Sequence, residues 1–318
     1  MTLSKYRHHL PQLDGAPMLT DGGIETTLIF HDGLDLPYFA AFTLLKSEDG
    51  RAALNRYYES YIRIANEQDI GFILDSATWR ASSDWGAMLG YDAAALADTN
   101  RDAVTLLFEL RERFEDDAPF VISGNIGPRG DGYSPDTQMT ADEAEAYHSA
   151  QVTGFDLSGV DMVSAITMTH AGEAAGIARA CSSRNLPLAL AFTLETDGHL
   201  PSGQPLGDAI AEVDATAGGG PSYYMINCAH PDHFHSVLEP GSDWTHRIRG
   251  VRANASRMSH AELDNAETLD EGDPLELAHD YANLMTLLPN LRVFGGCCGT
   301  DHRHVREIGQ RCVVEARA

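Results

Sequence analysis

Near the end of the chain the sequence reads Val293-Phe294-Gly295-Gly296-Cys297-Cys298-Gly299-Thr300, and well upstream another apolar run closes on Asn227-Cys228. The chain has only five cysteines, and three of them stand at the ends of apolar runs. Three thiolates are a ligand set for zinc, which takes sulfur at about 2.3 Å in a tetrahedron and can leave a fourth position open for a substrate. Glycines at 295, 296 and 299 suit that use, because a backbone without Cβ atoms turns sharply and approaches a metal closely. Asp301 is placed to cap the following helix, whose dipole favours negative thiolates nearby. A second reading stands beside this one: free cysteine is a common core residue, and the adjacent pair could pack or form a vicinal disulfide. The spacing is no CxxC ribbon and leaves both readings open. Cys181 and Cys312 fall mid-helix on apolar faces and read as core.

Other chemistries find less support. His230, His233 and His235 in "CAHPDHFHS", with His302 and His304 in "TDHRH", suggest a histidine-rich site, but no HExxH or paired-carboxylate pattern accompanies them. They read as polar surface residues on first helical turns. "GNIGPRGDG" lacks the Walker lysine and the Gly-x-Gly-x-x-Gly spacing, so it reads as a tight loop shaped for close ligand approach. No Gly-x-Ser-x-Gly elbow supports acyl-enzyme chemistry.

The elements that must position these residues alternate regularly. Apolar runs bounded by Gly, Pro and Asn predict strands at 17–21, 71–76, 119–124, 161–167, 187–193, 222–227, 247–253 and 290–295. Between them, helical patterns cover 49–68, 93–114, 140–157, 172–183, 205–217, 274–288 and 301–316. Continuous apolar strands such as "FILDSA" and "LALAF" belong in a parallel sheet covered on both faces. Eight strands alternating with helical stretches predict an α/β fold, a closed (β/α)8 TIM barrel forming a single domain over residues 1–318. An open Rossmann sheet is the runner-up, weakened because the first strand runs into "DGGIETT" and not a glycine-rich phosphate turn. Active sites of such barrels lie at the carboxyl ends of the strands. On that rim the sequence puts Asp21 and Gly22, then Asp75, Thr78 and Trp79, then Thr167, Glu195 and Asp197, Asn227-Cys228, Asn254, and finally Cys297-Cys298. One connection, "NASRMSHAELDNAETLDEGDP", is long and acidic, and reads equally as a binding loop or a solvated excursion.

Composition bounds the partners. Asp and Glu number 47 against 22 Lys and Arg, and the only lysines are Lys5 and Lys46, a balance that repels nucleic acid and anionic lipid. No stretch approaches the roughly 18 apolar residues of a membrane helix, and the N-terminus carries no apolar leader. A cytoplasmic protein with reduced thiols is expected, acting on small molecules, with a homo-oligomer left open.

Taken together, "TDGGIETTL", "SGNIGPRGDGY", "FTLETDGHLPSGQPL", "INCAHP" and "GGCCGTD" resemble, in order and over nearly the whole chain, the homocysteine S-methyltransferase family of zinc-dependent barrels. The resemblance implies Cys228, Cys297 and Cys298 as ligands of Zn2+. It implies S-methyl transfer from an activated donor to a thiol, with homocysteine giving methionine as the favoured reaction. It places the amino acid substrate at Asp21 and Gly22, and Asn254 at a position that supplies an oxygen ligand. Two stretches depart from the family. Where it carries "FET" at the fourth strand, with a Glu that grips the substrate ammonium, this chain has Ala165-Ile166-Thr167. Where it has "TNTY" at the second, this chain has Ser76-Ala77-Thr78-Trp79. Another group, Asp75 or Glu25, would then hold the ammonium, or the acceptor is a different thiol. A chain of 318 residues resembles the free-standing enzymes that use S-methylmethionine or S-adenosylmethionine. A betaine-type donor is the alternative, with Trp79 at hand for an onium cation. A zinc-binding barrel without catalysis is the reading from another class.

Overall fold

The computed structural model describes residues 4–133 and 138–317. Eight parallel strands close on themselves: β1 (Met18–Leu19), β2 (Gly71–Asp75), β3 (Phe120–Ile126), β4 (Met162–Met168), β5 (Leu188–Phe192), β6 (Tyr223–Asn227), β7 (Ile248–Ala253) and β8 (Val293–Gly296). Each pairs with the next, and β1 pairs with both β2 and β8, so the barrel has no free edge. The architecture is the expected (β/α)8 barrel.

The helices start where the sequence provides caps. Ser47 accepts from Gly50 N at 3.1 Å before Glu48–Gln68, and Asp92 accepts from Ala95 N at 2.8 Å before Ala93–Phe114. Thr140 and Glu143 form a capping box at the start of Ala141–Ser158. Asp273 with Pro274 opens Pro274–Leu287, and Asp301 caps His302–Gly309. Between sheet and helices lies the main apolar layer, including Phe72, Phe120, Phe155, Phe192 and Tyr281. A second cluster fills the barrel interior with Met18, Ile73, Val121, Met162, Ile166, Ala189, Tyr223, Met225 and Val293. Leu10 and Tyr6 close it from the amino ends of the strands, and Trp79 covers it at the carboxyl ends.

Three expectations are revised. The first strand is shorter than 17–21, because beyond Leu19 the chain stays bonded only on the β8 side: Thr20 N donates to Phe294 O at 2.8 Å and Gly296 N to Asp21 O at 2.9 Å. His230, His233 and His304 are not surface residues; they are 2%, 7% and 0% exposed. Each is tied into a helix start: Asp232 N donates to His230 Nδ1 at 3.1 Å and Asp301 N to His304 Nδ1 at 3.1 Å, while His233 Nε2 lies 2.9 Å from Arg257 O. The long connection after β7 is no solvated excursion throughout, since a Ser259–Glu262 capping box folds His260–Asp264 into a short helix lying against the carboxyl rim. Among the described residues no helix is long and apolar enough to cross a membrane.

Candidate metal and substrate site

At the carboxyl rim, the tips of β6 and β8 bring Cys228, Cys297 and Cys298 together, with one ligand atom from each lying within 4.8 Å of the others. Cys228 follows Asn227 with φ at 53°, a left-handed conformation rare for a residue with a side chain. Its peptide is held from all sides. The Cys228 N–H donates to Arg252 O at 3.0 Å. The carbonyl accepts from His260 Nε2 at 2.7 Å, Asn254 Nδ2 at 3.1 Å and Thr193 Oγ1 at 3.3 Å. Thr167 at the end of β4 is also left-handed, at φ 65°, and Asn227 fixes it by accepting from its N–H at 2.8 Å and donating to its hydroxyl at 2.9 Å. Two such outliers on one rim are strain of the kind concentrated at functional sites.

The expectation of reduced thiols is corrected for one pair. Cys228 and Cys297 are joined in a disulfide, while Cys298 is free. The Cα atoms stand 5.3 Å apart, within the ordinary span of a disulfide, so the convergence that could serve a metal also serves a bond between two of its sulfurs. The adjacent pair Cys297-Cys298 forms no vicinal bridge. Burial pushes the Cys298 thiol up to about 11, so without a cation beside it this sulfur stays protonated near neutral pH. Three soft sulfurs at one point fit zinc by donor type, once the pair is reduced.

Facing the sulfurs is a cleft of about 910 Å3, counted to its open mouth. Asp21, Gly22, Glu25, Asp75 and Trp79 line it, together with all three cysteines and Ile166. Asn254 and Ala77 do not. Asn254 instead lies behind Cys228 as a donor to its carbonyl, and its own Oδ1 is buried without a partner among the described residues. The atom that stands over the sulfurs is the Tyr133 hydroxyl, 3.3 Å from Cys298 Sγ and 3.9 Å from Cys228 Sγ. The Tyr133 ring stacks on His260 at 4.1 Å, and His260 Nδ1 faces Glu195 Oε1 at 3.1 Å.

The opposite wall is a buried charge network. Arg252 on β7 reaches across the barrel mouth, donating from Nη1 to Asp75 Oδ2 at 2.7 Å, from Nη2 to Asp21 Oδ1, and from Nε to Gly296 O at 3.2 Å. Tyr57 donates to the other Asp21 oxygen at 3.0 Å. Burial raises Asp21 to about 6, against the opposing pull of Arg252 and with a further push from Asp75. Glu25, on the single helical turn Ile24–Thr26, is raised to about 7 by burial and the charge of Asp21. Arg80 is sandwiched between Trp79 and Trp85, at 4.0 and 3.8 Å from the ring centroids.

Sequence reading missed Arg252, Arg80, Tyr133 and His260. Arg252 had a signal: a cation inside an apolar strand of a closed barrel needs buried carboxylates, and Asp21 and Asp75 stood at neighbouring tips. Tyr133 lies in an irregular connection and His260 opens a helix of only 5 residues, and in neither does a periodicity report which way a side chain faces.

A closed parallel barrel with a thiol cluster on its carboxyl rim defines the class. The family profile described as homocysteine S-methyltransferase matches residues 18–312, and the chain belongs to that family. Among solved structures it is similar to the homocysteine methyltransferase MmuM from Escherichia coli. To the oxidised form of that protein the TM-score is 0.74 at 19% identity, covering 96% of this chain and 98% of that one. To its metallated form the TM-score is 0.73 at 19% identity, covering 95% and 99%. A methionine synthase from Mycobacterium leprae (strain TN) is 29% identical over 130 residues, 40% of this chain. The chain spans about a tenth (10%) of that relative's length.

Proposed function

We propose that this protein is a zinc-dependent S-methyltransferase that moves a methyl group from an activated donor to a thiol, with homocysteine giving methionine. The observation that carries the reading is the convergence of three cysteine sulfurs at one end of a cleft, on the catalytic rim of a barrel of this family. Cys228, Cys297 and Cys298 would hold the ion. The chemistry zinc supplies when bound is Lewis acidity, which lets a thiol ionise near neutral pH.

The rest is the work of the chain. His260, Asn254 and Thr193 fix the Cys228 turn, so the sulfur's direction is set before any ligand arrives. Tyr133 occupies the face an acceptor must use, so its hydroxyl has to yield to the incoming thiol. In the transfer, a sulfur–carbon bond forms as the donor's onium–methyl bond breaks. The bonding pair leaves with the neutral donor, and the thiol proton is lost to solvent. A cationic donor suits the cleft: Trp79 and Tyr133 offer aromatic faces and Asp131 and Asp264 add carboxylates. Asp264 is raised by burial and by the charge of Asp131, which marks this side as negative. S-methylmethionine or S-adenosylmethionine, by resemblance to the free-standing enzymes, is the favoured donor, with a betaine-type donor, also an onium cation, as the alternative. Thiol ligands also suit a reducing cytoplasm.

Protein purified under reducing conditions should contain about one zinc per chain and convert homocysteine to methionine with one of these donors. Cys298→Ser should lose both metal and more than 1,000-fold of the activity, on the order expected when a metal ligand of an ionising centre is removed. Full metal content and turnover in that variant would refute the assignment. Turnover of other thiols but not homocysteine would favour a different acceptor, the reading that Ile166 in the wall keeps open.

A further inference from the structure

We propose that the trough between the helices Ser83–Met88, Ala93–Phe114 and Ala141–Ser158 is a second small-molecule site, for a flat, apolar ligand that donates from N–H, of the N-heteroaromatic class. It lies among the helices outside the barrel and shares no lining residue with the cleft over the sulfurs.

The space exists because the helix faces that meet here carry small side chains. Ala87, Ala93, Ala97, Ala150 and Gly154 line a cavity of about 920 Å3, counted to its open mouth. Ala141–Ser158 packs closely on its other side, where a Cβ at Gly176 of the next helix would come 2.4 Å from the Ala144 Cβ. A Cβ at Gly154 would meet nothing within 4 Å. The floor of the trough is polar and buried, with Tyr91 at 6%, Asn100 at 4%, His148 at 1% and Gln151 at 8% exposure.

That floor is short of donors, and the hydrogen bonds around it show why. Asn100 Nδ2 donates to Ala81 O at 3.0 Å and Leu96 O at 2.9 Å, which turns its Oδ1 to Gln151 Nε2 at 3.0 Å. Gln151 Nε2 gives its second hydrogen to Thr78 O at 3.2 Å, so both donors of this amide are spent. Gln151 Oε1 is left buried and, among the described residues, without a partner. His148 Nε2 lies 2.9 Å from Glu173 Oε1, an oxygen that also accepts from Arg129 N at 2.7 Å, so this nitrogen carries the ring hydrogen. His148 Nδ1 is then a bare acceptor in the neutral ring, and it too is buried with no partner among the described residues. The Tyr91 hydroxyl is a third such atom on the same floor. Buried polar atoms are paired as a rule, and three unpaired ones around one cavity ask for an occupant that pairs them. His148 and Gln151 stand three apart on one helix and are neighbours on its surface, so one ligand edge can reach both. An N–H answers either acceptor, whereas a carboxylate or ether oxygen answers neither. The alanines and the rings of Tyr91 and Tyr147 set the rest of the ligand, a flat apolar body.

The test uses the full chain and two probes of one shape, indole, which carries an N–H, and benzofuran, which has an oxygen in its place. Calorimetry reads the affinity, and the NMR shifts of the His148 ring and the Leu96 methyl groups report that the trough is the site. Wild type should bind indole roughly 10-fold more tightly than benzofuran, as expected when one buried, unpaired acceptor gains a donor. Gly154→Leu fills the open space and raises helix propensity, and should weaken indole at least about 10-fold. Ala97→Leu fills the trough from the facing helix and covers the case in which the first variant fails to fold. Equal binding of the two probes, or tighter binding of benzofuran, overturns the assignment. So does indole affinity that is unchanged in a folded filling variant, and so does the absence of binding by either probe at millimolar concentration, which would leave the trough to water.

Discussion

Two buried arginine–carboxylate assemblies sit at opposite ends of the barrel, and they are built on different ratios. At the amino end, Asp161 is fully buried, and both its oxygens are saturated: Oδ1 accepts from Lys5 N at 2.7 Å and Tyr6 N at 2.8 Å, Oδ2 from Arg111 Nη1 at 2.7 Å and Ile122 N at 2.9 Å. One cation faces one anion, and the contacts tie the N-terminal arm, β3 and the helix Ala93–Phe114 into one block. At the carboxyl end, Arg252 faces both Asp21 and Asp75, with Glu25 close enough to be affected by it. Among the described residues one Asp75 oxygen goes without a partner. Saturated and neutral at one end, unsaturated and negative at the other: the first arrangement is what stability selects, and the second tolerates a cost that makes sense where a cationic group is to be received.

The sharpest way to break this contrast is Asp161→Asn. It removes the charge that Arg111 answers and turns two of four accepted bonds into clashes between donors. A loss of about 3–5 kcal/mol is expected, as for breaking a buried pair by one partner. The shift of the urea midpoint measures it, and homocysteine turnover per folded molecule should stay at the wild-type value. A loss below about 1 kcal/mol would remove the claim that this end is structural.

The next effect is on pH. Glu25 is raised by burial first and by Asp21, and held down by its own backbone N–H, Arg80 and Arg252. Its folded value of about 7 lies above the ordinary 4.5. The stability it contributes is therefore present below about 4.5 and is lost as pH rises through about 7. Glu25→Gln should accordingly gain melting temperature over wild type as pH climbs from 5 to 8, and show no gain at the acid end. Ammonium binding by Glu25 needs the ionised form, so the ratio of homocysteine affinity between wild type and Glu25→Gln, in which the thiol's own ionisation cancels, should rise with pH up to about 7 and flatten above, with a limiting slope of about tenfold per unit. A flat profile across this range would separate Glu25 from the ligand.

How far these ends were legible in the sequence differs for the same physical reason. All eight strands, the first of them shorter than read, and the seven helical stretches stand where the apolar periods put them, since a barrel strand covered on both faces must be apolar and a capped amphipathic helix carries its own start signal. The three cysteines were legible because they terminate strands whose place in a closed barrel is fixed by order alone. Arg252, Tyr133 and His260 were not read. Their roles depend on where side chains from β7, from an irregular loop and from the start of a short helix meet in space, and no period in the sequence encodes that meeting. Asn254 shows the converse: a position at the right strand tip, whose side chain lies behind the left-handed Cys228 and donates to its carbonyl.

The smallest effect is expected from Asp75→Asn, and it bears most directly on the comparison. The amide oxygen can still accept from Arg252 Nη1, now held at 2.7 Å, while the amide nitrogen takes the place of Oδ1, which among the described residues has no partner to lose. One negative charge leaves a cluster that holds an excess of them, and Asp21 loses the neighbour that helps raise it. Against this stands one neutral hydrogen bond in place of a charge-assisted one and one unpartnered donor in place of an unpartnered acceptor. The two sides nearly cancel, so the net change should lie within about 1 kcal/mol, well under that of Asp161→Asn measured by the same urea titration. Asp21 should titrate lower in this variant, which carboxylate chemical shifts can follow. If Asp75→Asn instead costs as much as Asp161→Asn, the carboxyl-end network is as structural as its counterpart, and the difference between the two ends of the barrel is one of position and not of purpose.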